Sequence, residues 1–436
     1  MTSTVDLDKY WTPIYNAFNP YEPLLRHQLE AWFVERPDSP LPALSHHLNP
    51  ARALQRLIFG GHRASGKSSE LAKLAVELER KYGYFVTQIS LEHNLGKPRE
   101  TNQIEVLFLM GAALFKVAKA AHLNPDQKRF DNLVNALETL VQTHTENRAF
   151  KVNISTLLNG LVCFGTGLIT GPAGAAAALV ATDLLRPFDF VSGTDIATVR
   201  KLEVEPRIAE VVQQLNSIID DVAAKAKRPL VLIVDGTDKV NMNVAELLFA
   251  QPRFLADPAC RVIYTAPMEV FYRPQFAVTR GTFRVLPFPN IRLRRREDPS
   301  SSDETGYETM LEVLRRRLIS LRYDPETVID KEAMDLLIQN SGGLMRDLVQ
   351  LMQDAVVGAE ITRTTTIDRE VAMRTVSAWR RQFQAQLTPK CEEVLRSVRQ
   401  NHLRTDDEEC DTLLEGNFIL SYINNDVWFD VHSILS

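Results

Sequence analysis

The sequence predicts an α/β fold in which helices flank a parallel sheet, followed by a helical domain and a small C-terminal domain. Three observations carry this prediction. A glycine-rich loop at residues 61–68 lies between an apolar strand pattern and an amphipathic helix pattern. A second apolar run, Leu230–Val234, ends in Asp235. Further short β-prone runs alternate with helical patterns, which is typical of parallel sheets with crossover helices.

The glycine-rich loop fits the phosphate-binding pattern G-x-x-x-x-G-K-[ST]. Its glycines allow a tight turn whose backbone N–H groups point inward, and Lys67 is expected to reach the β- and γ-phosphates of ATP. The Ser68 hydroxyl is the expected Mg²⁺ ligand. An apolar strand pattern precedes the loop and an apolar helix face follows it, as this motif requires. The predicted nucleotide-binding residues are Gly61, His62, Arg63, Ala64, Ser65, Gly66, Lys67, Ser68 and Ser69.

Length and composition indicate a globular chain of two or three domains. The 436 residues are too many for one core, and 45% hydrophobic and 24% charged residues are ordinary proportions. A net charge of −5 gives no sign of a nucleic-acid protein. The four cysteines are scattered, so we expect neither disulfides nor zinc. The first residues lack the pattern of a secretory signal, and we expect a cytoplasmic protein.

Two segments of the first half have open interpretations. Residues 1–50 contain aromatic and proline-rich pieces and a predicted short helix around 24–34. We interpret them as an ordered arm that either contacts the adenine or simply packs on the core. Residues 152–182 carry no charge and are long enough to cross a bilayer. Because glycines and Pro172 crowd the middle of this stretch, we interpret it as a surface hairpin or partner-binding insert, with membrane insertion as the alternative.

The strand that ends at Asp235 predicts a second part of the site. A buried parallel strand delivers its last carboxylate to the edge where phosphate and Mg²⁺ lie, so Asp235 is expected to hold the metal through water. Asp238 is placed three residues later to orient or deprotonate the attacking water. Thr265 ends the next strand, where it either contacts the γ-phosphate and the water or only closes a turn.

Basic residues cluster in three places after this strand. Arg273 and Arg280 precede a predicted strand at 283–287. The runs at 292–296 and 315–317 contain several arginines, and we interpret them as solvated faces.

The second half predicts a helical unit with helices near 307–322, 331–340, 344–360 and 367–387. Between two of them, Ser341-Gly342-Gly343 ends one helix and Arg346 lies in the first turn of the next. A cation there opposes the helix dipole and needs an anionic partner, either a nucleotide phosphate or an acidic side chain. From about Thr388, two helices and two strands around an Asn-rich turn suggest a winged-helix-like domain.

The chain resembles AAA+/STAND-type ATPases in four features and in their order along the sequence. These are the phosphate-binding loop, Asp235-Gly236-Thr237-Asp238, the Gly342-Gly343 turn with Arg346, and the terminal domain. The nearest branch resembles bacterial relatives of the origin-recognition initiator ATPases. The resemblance implies that Thr265 is sensor 1, Arg346 sensor 2 and Arg280, less favoured Arg273, an arginine finger. AAA+ motors usually have a second acid directly after the strand, where this chain has Gly236. The resemblance then implies a STAND-like slow switch with Asp238 in the catalytic role.

The predicted function is therefore an ATP-dependent switch that controls homo-oligomer formation or engagement of a partner protein. Proteins of this kind often serve in bacterial antiphage defence or signalling, which is implied by resemblance alone. The alternatives are a DNA-binding initiator or loader and a membrane-associated KAP-like NTPase. The predicted divisions are an arm at 1–50, an α/β domain at 51–300 with an insert at about 150–190, a lid at 301–387 and a winged-helix-like domain at 388–436.

Overall fold

The computed structural model describes residues 6–91, 101–145, 201–250, 254–296, 302–424 and 426–436. They divide into two compact units, each made of separate chain segments. Unit 1 takes its described residues from 1–40, 61–70 and 288–436, and unit 2 takes its described residues from 41–60 and 71–287. The uncharged stretch 152–182 lies outside the described residues. Among the helices in the described ranges, none is long and apolar enough to span a membrane.

Unit 2 is built on a five-stranded parallel sheet with the order β2-β3-β4-β1-β5. The strands are β1 Arg56–Gly60, β2 Phe85–Ser90, β3 Leu230–Asp235, β4 Arg261–Ala266 and β5 Arg284–Pro287. Every residue of β3 and β4 is buried, as expected for central strands that helices cover on both faces. The predicted α/β fold class with a parallel sheet is confirmed.

The helices of unit 2 supply most of its apolar core. They are α3 Leu41–His47, α4 Lys67–Tyr82, which begins in unit 1, α5 Gln103–Ala120, α6 Gln127–Thr145, α7 Lys201–Ala226, α8 Met242–Ala245, α9 Glu269–Tyr272 and α10 Thr279–Thr282. Helix α5 begins with a capping box, because Asn102 accepts from the third-residue N–H and Glu105 accepts from the Asn102 N–H. A π-helical turn, Glu246–Ala250, and a 3₁₀ turn, Pro274–Phe276, complete the unit.

Unit 1 contains a helical block that the sequence largely predicts. Its helices are α1 Leu7–Ala17, α2 Leu29–Trp32, α11 Glu304–Ser320, α12 Pro325–Val328, α13 Lys331–Asn340, α14 Met345–Thr362 and α15 Arg369–Gln384. The aromatic and proline-rich start of the chain forms α1, with Pro13 inside it, and buries Trp11, Ile14 and Phe18 in the core of this block. The first helix of the predicted arm therefore packs into the core of the helical block. A contact of the arm with adenine stays a prediction.

Burial corrects the interpretation of one basic run as a solvated face. Arg317 is buried, donates to the carbonyl of Ala17 at 2.6 Å and lies against the rings of Phe18 and Trp32. Burial lowers its pKa to about 10. The i, i+4 periodicity of a helix could not reveal this, because the segment that covers Arg317 lies about 300 residues earlier in the chain.

The chain ends with two helices and a hairpin, also in unit 1. These are α16 Pro389–Asn401, capped by Thr388, α17 Glu408–Glu415, and the antiparallel strands β6 Ile419–Ile423 and β7 Val427–Val431. A 3₁₀ turn, Ser433–Leu435, follows. Two helices and two strands thus lie where the sequence predicts them. The winged-helix-like assignment of this segment stays a prediction.

Candidate functional site

The phosphate-binding loop joins β1 to α4, which begins at Lys67. Two of its residues have left-handed backbone, Ala64 with φ +68° and Gly66 with φ +98°. Gly66 adopts this conformation without strain because it has no Cβ. Gly61 is required for another reason: a Cβ there would lie 2.6 Å from the carbonyl oxygen of Phe288. The loop therefore has the sharply turned backbone that its sequence pattern predicts.

The ammonium of Lys67 lies inside this loop. Its Nζ donates to the carbonyl oxygens of Gly61 at 2.8 Å and His62 at 2.6 Å, and the residue is buried. The hydroxyl of Ser65 also donates to the carbonyl of His62, at 2.7 Å. The loop thus encloses a buried cation within one tight turn, and a buried cation suits an anionic ligand. The residues present therefore fit a nucleotide phosphate.

Arg36, which sequence analysis missed, supports the loop from the N-terminal segment. Its Nη1 donates to the carbonyl of Ser65 at 3.2 Å and its Nη2 to that of Pro289 at 2.5 Å. The guanidinium lies 4.1 Å from the centre of the Phe288 ring. Burial lowers its pKa to about 10, which leaves it charged at neutral pH. No motif surrounds Arg36, so only the fold could identify it.

Ser69, the second of the two serines that follow Lys67, is hydrogen-bonded to the N-terminal segment. The Ser69 hydroxyl oxygen accepts a hydrogen bond from the backbone N–H of Leu24 at 3.1 Å. Ser68 lies in the first turn of α4 and is half-buried. Within the described ranges, no group of three or more His, Cys, Asp or Glu side chains could hold a metal by itself.

Three predicted nucleotide-binding residues of the loop contact the C-terminal segment that contains β6 and β7. The Nε2 atom of His62 lies 2.9 Å from both the backbone nitrogen and the hydroxyl oxygen of Ser421. The Asn417 amide donates to the carbonyl of Arg63 at 3.2 Å. Ala64 packs against an apolar cluster of Leu344, Leu420, Tyr422 and Trp428. The sequence motif itself does not predict these contacts.

Arg346 is joined to the same loop through its backbone. Its N–H donates to the carbonyl of Ala64 at 3.1 Å, and the preceding Met345 side chain lies next to Gly66. Its side chain is half-buried. The first turn of α14 therefore contacts the loop directly through its backbone. The role of the Arg346 side chain as a phosphate sensor stays a prediction.

A second polar cluster lies in unit 2, at the carboxyl ends of β3 and β4. The hydroxyl of Thr265 donates to Oδ1 of Asp238 at 3.1 Å and accepts the N–H of Gly236 at 3.0 Å. Thr237, which sequence analysis did not single out, donates its hydroxyl to the carbonyl of Thr265. Asp235 and Asp238 are both buried. Two predicted residues, Thr265 and Asp238, are thus brought into direct contact.

The two candidate arginine fingers follow this cluster in the sequence and belong to the same unit. The Arg280 side chain is exposed, and its Nη2 donates to the carbonyl of Phe271 at 3.3 Å. Arg273 is half-buried at the start of the 3₁₀ turn. Of the two, the exposed Arg280 is better able to reach another molecule.

No family model matches the chain, and no curated protein matches its sequence. Solved structures do match its backbone. The ORC1 protein of Aeropyrum pernix, solved in complex with DNA, covers 98% of this chain and 94% of its own, at 11% identity and a TM-score of 0.40. Cdc6p from Pyrobaculum aerophilum covers 96% and 93%, at 11% identity and 0.40. RuvB of Thermotoga maritima, a Holliday junction branch migration motor, covers 50% and 80%, at 14% identity and 0.27.

The chain is similar to these proteins at low identity. At TM-scores of 0.40 and below, the fold assignment rests on the chain's own sheet order and its phosphate-binding loop.

Proposed function

We propose that this chain is an AAA+ type ATPase that binds ATP with Mg²⁺, hydrolyses it slowly and acts as a switch for self-assembly or partner engagement. The observation that carries the proposal is the buried Lys67 ammonium inside a loop with left-handed backbone at Ala64 and Gly66. The resemblance of the motifs to STAND proteins supports the finer proposal of a signalling switch, including a role in antiphage defence.

In the proposed complex, Lys67 and the loop N–H groups hold the phosphates of ATP. Ser68 would supply its hydroxyl oxygen to the cation and Asp235 would hold it through water, since oxygen is the ligand type that Mg²⁺ prefers. When bound, the cation neutralises phosphate charge that develops during cleavage. Asp238 orients the attacking water, and the Thr265 hydroxyl orients the Asp238 carboxylate. Since Gly236 stands where motors carry a second acid, we expect slow turnover.

Arg346 and Arg280 are the proposed links between nucleotide and conformation. The bond from the Arg346 N–H to Ala64 supports a role for Arg346 in sensing phosphate in the loop. The exposure of Arg280 supports a role as a finger that a neighbouring subunit receives. In an oligomer that forms only with ATP, Arg346 would sense the nucleotide and Arg280 would contact the neighbouring subunit.

The proposal is tested by ATP binding and by the mass of the full-length protein with and without ATP. Lys67→Ala should weaken ATP binding by about 100-fold or more, because the phosphates lose a buried cation. Lys81→Ala is the control, since Lys81 lies at the other end of α4 in an exposed pair with Glu77. Equal binding by Lys67→Ala and wild type would refute a phosphate site. An unchanged mass with ATP would refute ATP-controlled self-assembly.

DNA binding is the alternative function, and the charges of the C-terminal residues disfavour it. From Cys391 onward the cations are Arg396, Arg399 and Arg404, opposed by ten acidic residues: Glu392, Glu393, Asp406, Asp407, Glu408, Glu409, Asp411, Glu415, Asp426 and Asp430. Arg404 is paired with Asp406 and Asp411. We expect no retention of the full-length protein on duplex DNA at about physiological salt. Retention that falls steeply with salt would support the alternative.

A further inference from the structure

The C-terminal hairpin, defined here as residues 417–433, contacts two segments of the proposed nucleotide site at once. One segment is the phosphate-binding loop, and the other is the turn at 341–347 that leads into α14. All three segments belong to unit 1. The hydrogen bonds that Ser421 and Gly342 make between these segments are buried, so each of their donors and acceptors needs its partner.

On the side of the loop, the decisive contact is between His62 and Ser421. The Ser421 N–H donates to Nε2 of His62 at 2.9 Å, so Nε2 carries no proton and the imidazole is neutral with its proton on Nδ1. Burial, together with the charge of Lys67, lowers the pKa of His62 to about 3. The neutral state, and with it the acceptor at Nε2, therefore persists at physiological pH.

On the side of the turn, Gly342 is held at both of its backbone groups. Its N–H donates to the Ser433 hydroxyl at 3.0 Å, and its carbonyl accepts from the Tyr422 hydroxyl at 3.0 Å. Its φ is +63°, and a Cβ there would lie 2.6 Å from Nε2 of His432. The same His432 nitrogen lies 3.3 Å from Oδ2 of Asp347. The hairpin and the turn therefore fit each other only with glycine at 342.

The third contact joins the turn to the loop, because the Arg346 N–H donates to the Ala64 carbonyl. Loop, turn and hairpin thus contact one another in pairs. A displacement of any one of them strains buried hydrogen bonds to the other two, which couples their positions.

We infer that the C-terminal hairpin positions the phosphate-binding loop, with His62 and Ser421 as positioning residues for the phosphates of a bound nucleoside triphosphate. The inference rests on the proposed function and adds to it a specific pair of residues. Coupling between two sites is reciprocal. If the hairpin stabilises the nucleotide-bound loop, bound nucleotide stabilises the hairpin by the same factor.

The test compares two substitutions of His62 in the full-length protein. His62→Leu removes the acceptor and leaves the Ser421 N–H buried without a partner, whereas His62→Gln keeps an acceptor near the position of Nε2. We expect His62→Leu to speed dissociation of a fluorescent ATP analogue by at least about fivefold, as for a lost buried hydrogen bond. We expect His62→Gln to stay within about twofold of wild type. Ser397→Ala is the control, because Ser397 lies on α16 and contacts Asn401 instead of the loop.

A second measurement needs no substitution at the contact itself. Hydrogen exchange of the β6 amides in wild type should slow when ATP is added, and Lys67→Ala should show no such change. If wild type binds ATP but β6 exchange is unchanged and both His62 variants dissociate like wild type, the hairpin is only structural and the inference fails. If wild type binds no ATP, the proposed function fails with it.

Discussion

The loop around Lys67 and the cluster around Thr265 are both polar and buried, but they are stabilised in opposite ways. In the cluster, Gly236, Thr237 and Asp238 directly follow one strand and hydrogen-bond to Thr265, the penultimate residue of the neighbouring strand. The loop is held by distant residues, Arg36 before it and Ser421 about 360 positions after it. The cluster is therefore a local property of two strands, whereas the loop depends on the fold of the whole unit.

Asp238→Asn should give the largest effect and sharpen this comparison. The amide keeps the size of the carboxylate but cannot take a proton, so ATP hydrolysis should fall by about 100-fold or more while ATP binding stays within about twofold. Steady-state hydrolysis and equilibrium binding measure the two separately. Undiminished hydrolysis would show that Asp238 is not the catalytic residue.

Acid should destabilise the loop region through His62. Its pKa is about 3 in the folded chain and about 6.5 when unfolded, so between these values only the unfolded state takes up the proton. Stability is then lost as pH falls below about 6.5, by about 2 kcal/mol at pH 5. Denaturant unfolding at pH 7 and pH 5 measures this.

His62→Gln is the control for the acid effect, because glutamine does not titrate. The variant should lose about 2 kcal/mol less than wild type over the same interval. An identical loss in both proteins would mean that carboxylates elsewhere account for the acid sensitivity.

Thr265→Val should break the local cluster with an intermediate effect. Valine removes the donor to Asp238 and the acceptor for Gly236, and hydrolysis should fall by about tenfold. Thr265→Ser retains the hydroxyl and should stay close to wild type. Because Thr265 acts through Asp238, adding Thr265→Val to Asp238→Asn should cause little further loss. Full additivity of the two losses would contradict that role.

Ala64→Gly should have the smallest effect, because two terms oppose each other. Glycine relieves the left-handed strain at φ +68°, about 1 kcal/mol, but loses the methyl contact with the apolar cluster. We expect the free energy of unfolding to change by less than about 1 kcal/mol. Gly66→Ala, at φ +98°, has no such compensation and should destabilise more. The reverse order would show that the Ala64 methyl is essential to the contact with the hairpin.

The sequence by itself determined the elements whose signals are local. The apolar run Leu230–Val234 predicts β3 to within a residue, because parallel central strands are buried on both faces. The glycine pattern predicts the turned backbone at Gly66, since few residues other than glycine adopt that conformation without strain. Asp235, Asp238 and Thr265 follow from strand ends, and parallel strands bring those ends to one edge.

Only the tertiary structure decided which partners hold the loop. His62 and Ala64 occupy positions that the motif leaves variable, and their partners Ser421 and Trp428 lie in the last 20 residues of the chain. The run that contains Arg317 reads as a solvated face, and no motif surrounds Arg36, yet both arginines are buried. The physical reason is the same throughout: periodicity and propensity report on neighbours along the chain, whereas burial and hydrogen-bond partners depend on segments that only folding brings together.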